Sequence, residues 1–197
     1  MSPRQLVIAV TVLAFAAIAM VIFTRREQKR VVQTETASYS RPVAPPPSGP
    51  TEQATLYVAY DDPGVLLPQN STIPMSSGRQ QRAEELLRAL IDVYVAKSSP
   101  HPLGPGADIR TVYLVDPGLA VIDLNGAFAN GHRSGILVEE LTVTSLVETL
   151  SANIQGITRI KILVDGKEQE TLAGHADLSR FYEVSTAGDV LNQMRSQ

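Results

Sequence analysis

Thr111–Gly166 reads TVYLVDPGLAVIDLNGAFANGHRSGILVEELTVTSLVETLSANIQGITRIKILVDG, and its hydrophobic spacing passes from strand-like to helical and back. Ile109–Val115 and Leu119–Leu124 are rich in β-branched residues and read as a hairpin. Asp116-Pro117-Gly118 between them suits a type II turn, because proline fixes the first central φ and glycine accepts the positive second one. Asn125–Gly135 reads as a loop. Val138–Asn153 then places Val143, Leu146, Val147, Leu150 and Ile154 on one helical stripe, with Gly156 as a C-cap. Thr158–Val164 puts Ile160, Ile162 and Val164 on one face of a strand, and Asp165-Gly166 is a hairpin signal leading into a further strand at Glu168–Leu172.

Working outward, Ala54–Tyr60 has the content of a strand and Asp61-Asp62-Pro63-Gly64 that of a turn. Leu66–Met75 reads as a short edge strand, limited by Pro68 and Pro74, which cannot donate to a ladder. Arg82–Ala96 is helical, with Ala83, Leu86, Leu87, Leu90, Ile91 and Tyr94 on one face, and the proline- and glycine-rich Ser98–Gly106 ends it. The expected fold is α+β, a small antiparallel sheet carrying two helices on one face, over residues 54–184 with a tail at 185–197.

The N-terminal part has a different character. Leu6–Phe23, LVIAVTVLAFAAIAMVIF, is 18 uncharged residues, which as a helix would reach roughly 27 Å, enough to cross a hydrocarbon core. A cleaved signal peptide should have a shorter apolar core ending in small residues, whereas this run goes straight into Thr24, Arg25 and Arg26. An uncleaved transmembrane anchor at 6–23, after a short segment 1–5, is therefore expected. Residues 24–53 are a basic flank followed by a spacer in which Pro42, Pro45, Pro46, Pro47 and Pro50 favour extended polyproline II. The basic flank Arg25, Arg26, Lys29 and Arg30 outweighs Arg4, and by the positive-inside rule alone would leave the domain in the cytoplasm.

Beyond the first thirty residues the chain carries 12 Lys and Arg against 19 Asp and Glu, a net of −7, which argues against a nucleic-acid partner. With no cysteine there is no disulfide, thiolate site, catalytic thiol or acylated anchor. Gly131-His132-Arg133-Ser134-Gly135 is G-x-x-S-G, not the nucleophile elbow G-x-S-x-G. His101, His132 and His175 fall in three separate loops without ligand spacing and read as solvated. Glu139 and Glu140 point about 100° apart on a helix and read as partners of its positive end, and Asp123 as a loop cap. No catalytic, cofactor-binding or metal-ligating residue is assigned, and no cofactor is expected.

The order of a first strand, a leucine-rich helix, VYLVDPGLAVIDLNGAF, SLVETL and ITRIKILVDGK, then DLS and an aromatic, resembles the GerMN domain of bacterial sporulation and spore-germination proteins, from about Thr55 to Glu183. The matching positions are Val121, Asp123, Leu124 and Phe128, then Glu139 or Glu140, Ser145, Leu146, Val147, Thr149 and Leu150, and finally Val164, Asp165 and Gly166. This resemblance implies an extracytoplasmic module of the bacterial cell envelope, associated with sporulation, germination and peptidoglycan, and it overrides the charge count on orientation. It implies no catalytic residues. The expected protein is thus a non-catalytic, single-pass protein of the cytoplasmic membrane whose domain meets other envelope proteins, its own copies or peptidoglycan. The alternative is an enzyme or accessory subunit acting on the cell wall, with a site assembled from Asp123, His132 and Glu139.

Overall fold

Two separate sheets, rather than the single one expected, form in the computed structural model, which describes residues 49–187 and residue 189. The expected membrane span and nearly all of the spacer lie outside those residues; among the described residues no helix is long and apolar enough to cross a membrane. Strand β1 (Thr51–Tyr60) begins inside the stretch read as spacer, and pairs antiparallel with β2 (Val65–Pro74), which runs its full length despite Pro68. The second sheet has the order β3 (Ile109–Val115), β4 (Leu119–Leu124), β5 (Arg159–Val164), β6 (Tyr182–Glu183).

This second sheet is mixed, because β4 and β5 run parallel. The chain between them holds two helices, α2 (Gly126–Asn130) and α3 (Ile136–Asn153), and so is long enough for a crossover instead of a hairpin. The expected loop at Asn125–Gly135 thus contains α2, started by Asn125, whose side chain accepts the Phe128 N–H at 2.9 Å. The strand expected at Glu168–Leu172 is absent. Only single bridges form there, Val164 with Lys167 and Thr171 with Asp177, and the outer neighbour of β5 is β6.

Helix α1 (Arg79–Val95) buries the predicted stripe Ala83, Leu86, Leu87, Leu90, Ile91 and Tyr94 and packs against both β1 and β3, joining the sheets into one core. Helix α3 is different, since Leu141, Thr142, Val143, Thr144, Ser145, Leu146, Val147, Thr149 and Leu150 are all buried. A helix buried all round has no polar face to present to water. Its polar side chains instead close the edge of β1. The Tyr57 N–H donates to Thr149 Oγ1 at 2.9 Å, the Thr55 N–H to Asn153 Oδ1 at 3.1 Å, and the Ala59 N–H to the Tyr94 hydroxyl of α1 at 2.8 Å. With those N–H groups taken by helices, β1 cannot also join the larger sheet, which is why the domain has two. On β3, the Val112 N–H and the Thr111 hydroxyl similarly go to Glu84 of α1.

Ala120, Ile122, Leu124, Ile160 and Ile162 are buried on the inner face of the four-stranded sheet. The register aligns Tyr113 with Val121 and Lys161, and Val115 with Leu119 and Arg159, on the other face, where Tyr113 and Val115 stay about half exposed at 49% and 47%. Gly118 closes the β3–β4 turn at φ +76°, as the turn chemistry requires.

Candidate functional site

The polar chemistry of the domain collects around the first turns of α3 in two clusters. The first is a knot at Glu139, whose side chain is fully buried. One carboxylate oxygen accepts the N–H groups of Ala173, His175 and Ala176 at 2.9 to 3.0 Å, and the other accepts from Gly135 N–H at 3.1 Å and faces His175 Nδ1 at 2.9 Å. Burial pushes its pKa up, but the His175 contact and these N–H donors outweigh burial and hold it at about 2. Glu139 is therefore more than a partner for the helix dipole. By capturing the backbone of 173–176 it fixes the chain just beyond Glu168–Leu172, the segment expected as a strand.

Ser134 Oγ also meets His175 Nδ1, at 3.3 Å. Serine, histidine and glutamate stand together, yet both contacts use the same ring nitrogen. A hydrolytic triad needs the serine on one nitrogen and the carboxylate on the other, so that a proton can pass through the ring. This arrangement gives no such path.

The second cluster is a line of side chains through the core. His101 Nδ1 lies 2.6 Å from Asp61 Oδ1 of the β1–β2 turn, and its Nε2 lies 2.6 Å from Thr142 Oγ1. On the far side of the same hydroxyl stands His132 Nε2, at 2.7 Å, with His132 Nδ1 at 2.7 Å from the Arg133 carbonyl. Arg133 closes the circuit by pairing with Asp61. Tyr94 meets His101 edge-on with centroids 4.9 Å apart, and Phe128 stacks on His132 at 6.2 Å. His101 is 0% exposed and His132 8%, which corrects their reading as solvated loop histidines; only His175, at 40% side-chain exposure, remains partly wet. Proline- and glycine-rich loops are usually exposed, but this one is pinned by the buried Leu103 and by the backbone contact of Gly104, where a Cβ would come within 2.8 Å of the Gly131 carbonyl oxygen.

Burial pushes both imidazoles below their ordinary pKa, against the pull of Asp61 on His101 and of the Arg133 carbonyl on His132. Asp61 is pushed up by burial, but the hydrogen bonds from Arg133 and His101 carry it below the usual carboxylate value.

The trio Asp123, His132 and Glu139 is not assembled. Asp123 accepts the Gly166 N–H at 2.7 Å and pairs with Arg110 at 3.1 Å, the loop-capping role expected of it. Among the described residues no three His, Asp or Glu side chains are grouped to hold a metal ion. Glu140 is separate again, raised by burial and 3.8 Å from Arg180.

A two-sheet α+β domain with a central buried helix and polar clusters at its start is the class of protein these features define. A family model described as "Germane: Sporulation and spore germination" matches residues 55–170, and the chain belongs to that family. Among solved structures, the tandem GerMN domains of the sporulation protein GerM from Bacillus subtilis align at 18% identity and a TM-score of 0.50, covering 64% of this chain and 44% of that one. The first GerMN domain of the same protein aligns at 19% identity and a TM-score of 0.48, covering 64% of this chain and 92% of that one. A putative lipoprotein from Clostridium perfringens aligns at 22% identity and a TM-score of 0.47, over 73% and 94% of the two chains. No curated protein gives a significant sequence match.

Proposed function

We propose that this GerMN-family protein acts in sporulation or germination, or in envelope work of the same kind, as a non-catalytic module. It is held at the outer side of the cytoplasmic membrane by its N-terminal apolar segment and works by contact with other envelope proteins or its own copies, near peptidoglycan. The observation that carries this reading is the outer face of the four-stranded sheet. Tyr113 and Val115 are half exposed on it, in register with Val121 and Leu119. The Phe181 ring, 48% exposed, lies 5.5 Å from the exposed Arg159 guanidinium and 5.6 Å from the ammonium of Lys161, which is buried and donates to the Leu178 and Ser179 carbonyls. Exposed apolar groups rimmed by charge are the composition of a contact surface. A non-catalytic reading is further supported by where the polar groups are spent: the oxygens of Glu139 are occupied by backbone N–H groups and His175.

The test is in cells, with the full-length chain carrying a photo-crosslinking residue in place of Tyr113. A specific adduct, to another envelope protein or to a second copy, that disappears on Val115→Asp is the expected result, together with removal of the domain by protease added to intact spheroplasts. Release of soluble fragments from cell-wall sacculi by the purified protein, with no adduct, would turn the reading toward a cell-wall enzyme. Protection from protease until lysis would reverse the orientation.

A further inference from the structure

The hydrogens available to the line Asp61–His101–Thr142–His132 can be counted. Asp61 Oδ1 and the Arg133 carbonyl only accept, so each Nδ1 that meets them must carry a hydrogen. In a neutral imidazole the other nitrogen then has none. Both Nε2 atoms, at 2.6 and 2.7 Å from Thr142 Oγ1, become acceptors facing one hydroxyl that has a single hydrogen. The Val138 carbonyl, 3.1 Å away, competes for it as well. With two neutral rings, three hydrogens must serve four short contacts, and one pair of lone pairs is left face to face. One added proton removes the conflict: one ring donates to the Thr142 oxygen, and the Thr142 hydroxyl donates to the other ring.

We infer that His101, Thr142 and His132 form a proton-binding site that takes up one proton, shared between the two rings through the threonine hydroxyl, and that this proton closes a clasp on three segments of the domain. The segments are the β1–β2 turn through Asp61, the loop after α1 through His101, and the loop before α3 through His132. The charged and titratable groups that face the pair are Asp61, which favours the proton, Arg133, which opposes it, Glu139, whose negative charge acts on His132, and Tyr94, which meets His101 edge-on. A second proton would place two imidazolium rings on one hydroxyl, with centroids 6.1 Å apart in the core, and is refused. Loss of the shared proton removes one hydrogen bond at Thr142 and frees one of the two loops from the helix.

The experiment is nitrogen-resolved NMR of the histidine rings in the full-length protein, whose three histidines give three separable signals. Between about pH 8 and 5, the range in which histidine titrates, His101 and His132 are expected to move together with one midpoint and a total uptake of one proton. Thr142→Val is expected to uncouple the two rings and weaken proton uptake about tenfold, the scale of one lost hydrogen bond; Thr142→Ser should restore the coupled titration. Separate midpoints, uptake of two protons, no titration of either ring, or a Thr142→Val protein that titrates as the original would each overturn the inference. If the valine variant does not fold, the original protein and the serine variant decide alone.

Discussion

Glu139 and Thr142 sit less than one turn apart on α3, both fully buried, and they anchor opposite kinds of polar site. Glu139 is a fixed charge with a surplus of donors: four backbone N–H groups and one ring converge on two oxygens. Thr142 is a neutral group with a deficit, one hydroxyl hydrogen wanted by two rings and a carbonyl. A satisfied buried group makes structure rigid, whereas an undersupplied one leaves it open to a proton. The same helix therefore holds one loop permanently and two others conditionally.

The largest break in this contrast is expected at the knot. The folded pKa of Glu139 lies at about 2 against an ordinary 4.5, so the group contributes stability that is present above 4.5 and lost as pH falls toward 2, about 3 kcal/mol in all. Glu139→Gln removes the charge and turns an amide N–H₂ toward backbone donors. Chemical denaturation at pH 7 should show a loss of about that size, and the variant's stability should no longer fall between pH 4.5 and 2 by this route. A loss below ~1 kcal/mol would mean that the loop 173–176 is held by other contacts. The clasp acts in a different window. Unfolded, the two histidines can bind two protons, whereas the folded clasp takes one and burial opposes the second, so below about 6.5 stability should decline by up to about 1.4 kcal/mol per pH unit for the one proton refused.

How much of this was legible in the sequence follows the same division. Where burial follows a period, the text was enough: the stripe from Ala83 to Tyr94 gives α1 to within three residues at its start and one at its end, and the alternation of Ile160, Ile162 and Val164 gives β5 to within one. It was not enough for the sheet order, because the parallel pairing of β4 and β5 depends on where a crossover returns, and no local pattern encodes that. Both clusters were missed for a physical reason. Asp61, His101 and Thr142 lie about 40 residues apart from one to the next, and each partner is chosen by the tertiary fold. One signal was available. Thr142, Ser145 and Thr149 recur at i, i+3 and i+7 on one side of α3 and Thr144 stands roughly opposite, all of them buried, and a helix that buries hydroxyls must find partners for them.

The smallest effect on stability should give the sharpest reading of the clasp. Arg133 is half exposed, so its pairing with Asp61 contributes no more than ~1 kcal/mol. Its charge nevertheless bears on both rings, lowering the proton affinity of His101 and of His132 alike. Arg133→Gln keeps a donor for Asp61 and removes that charge. The shared midpoint of the two rings should therefore move to higher pH while the folding free energy at pH 8 stays within ~1 kcal/mol of the original protein, read by ring NMR and denaturation on the same sample. A shift of equal size in both rings would tie them to one proton, since two independent sites at different distances from Arg133 would respond unequally. An upward shift of His101 alone, with His132 unmoved, would reduce the pair to a simple His101–Asp61 bond and leave Thr142 as packing.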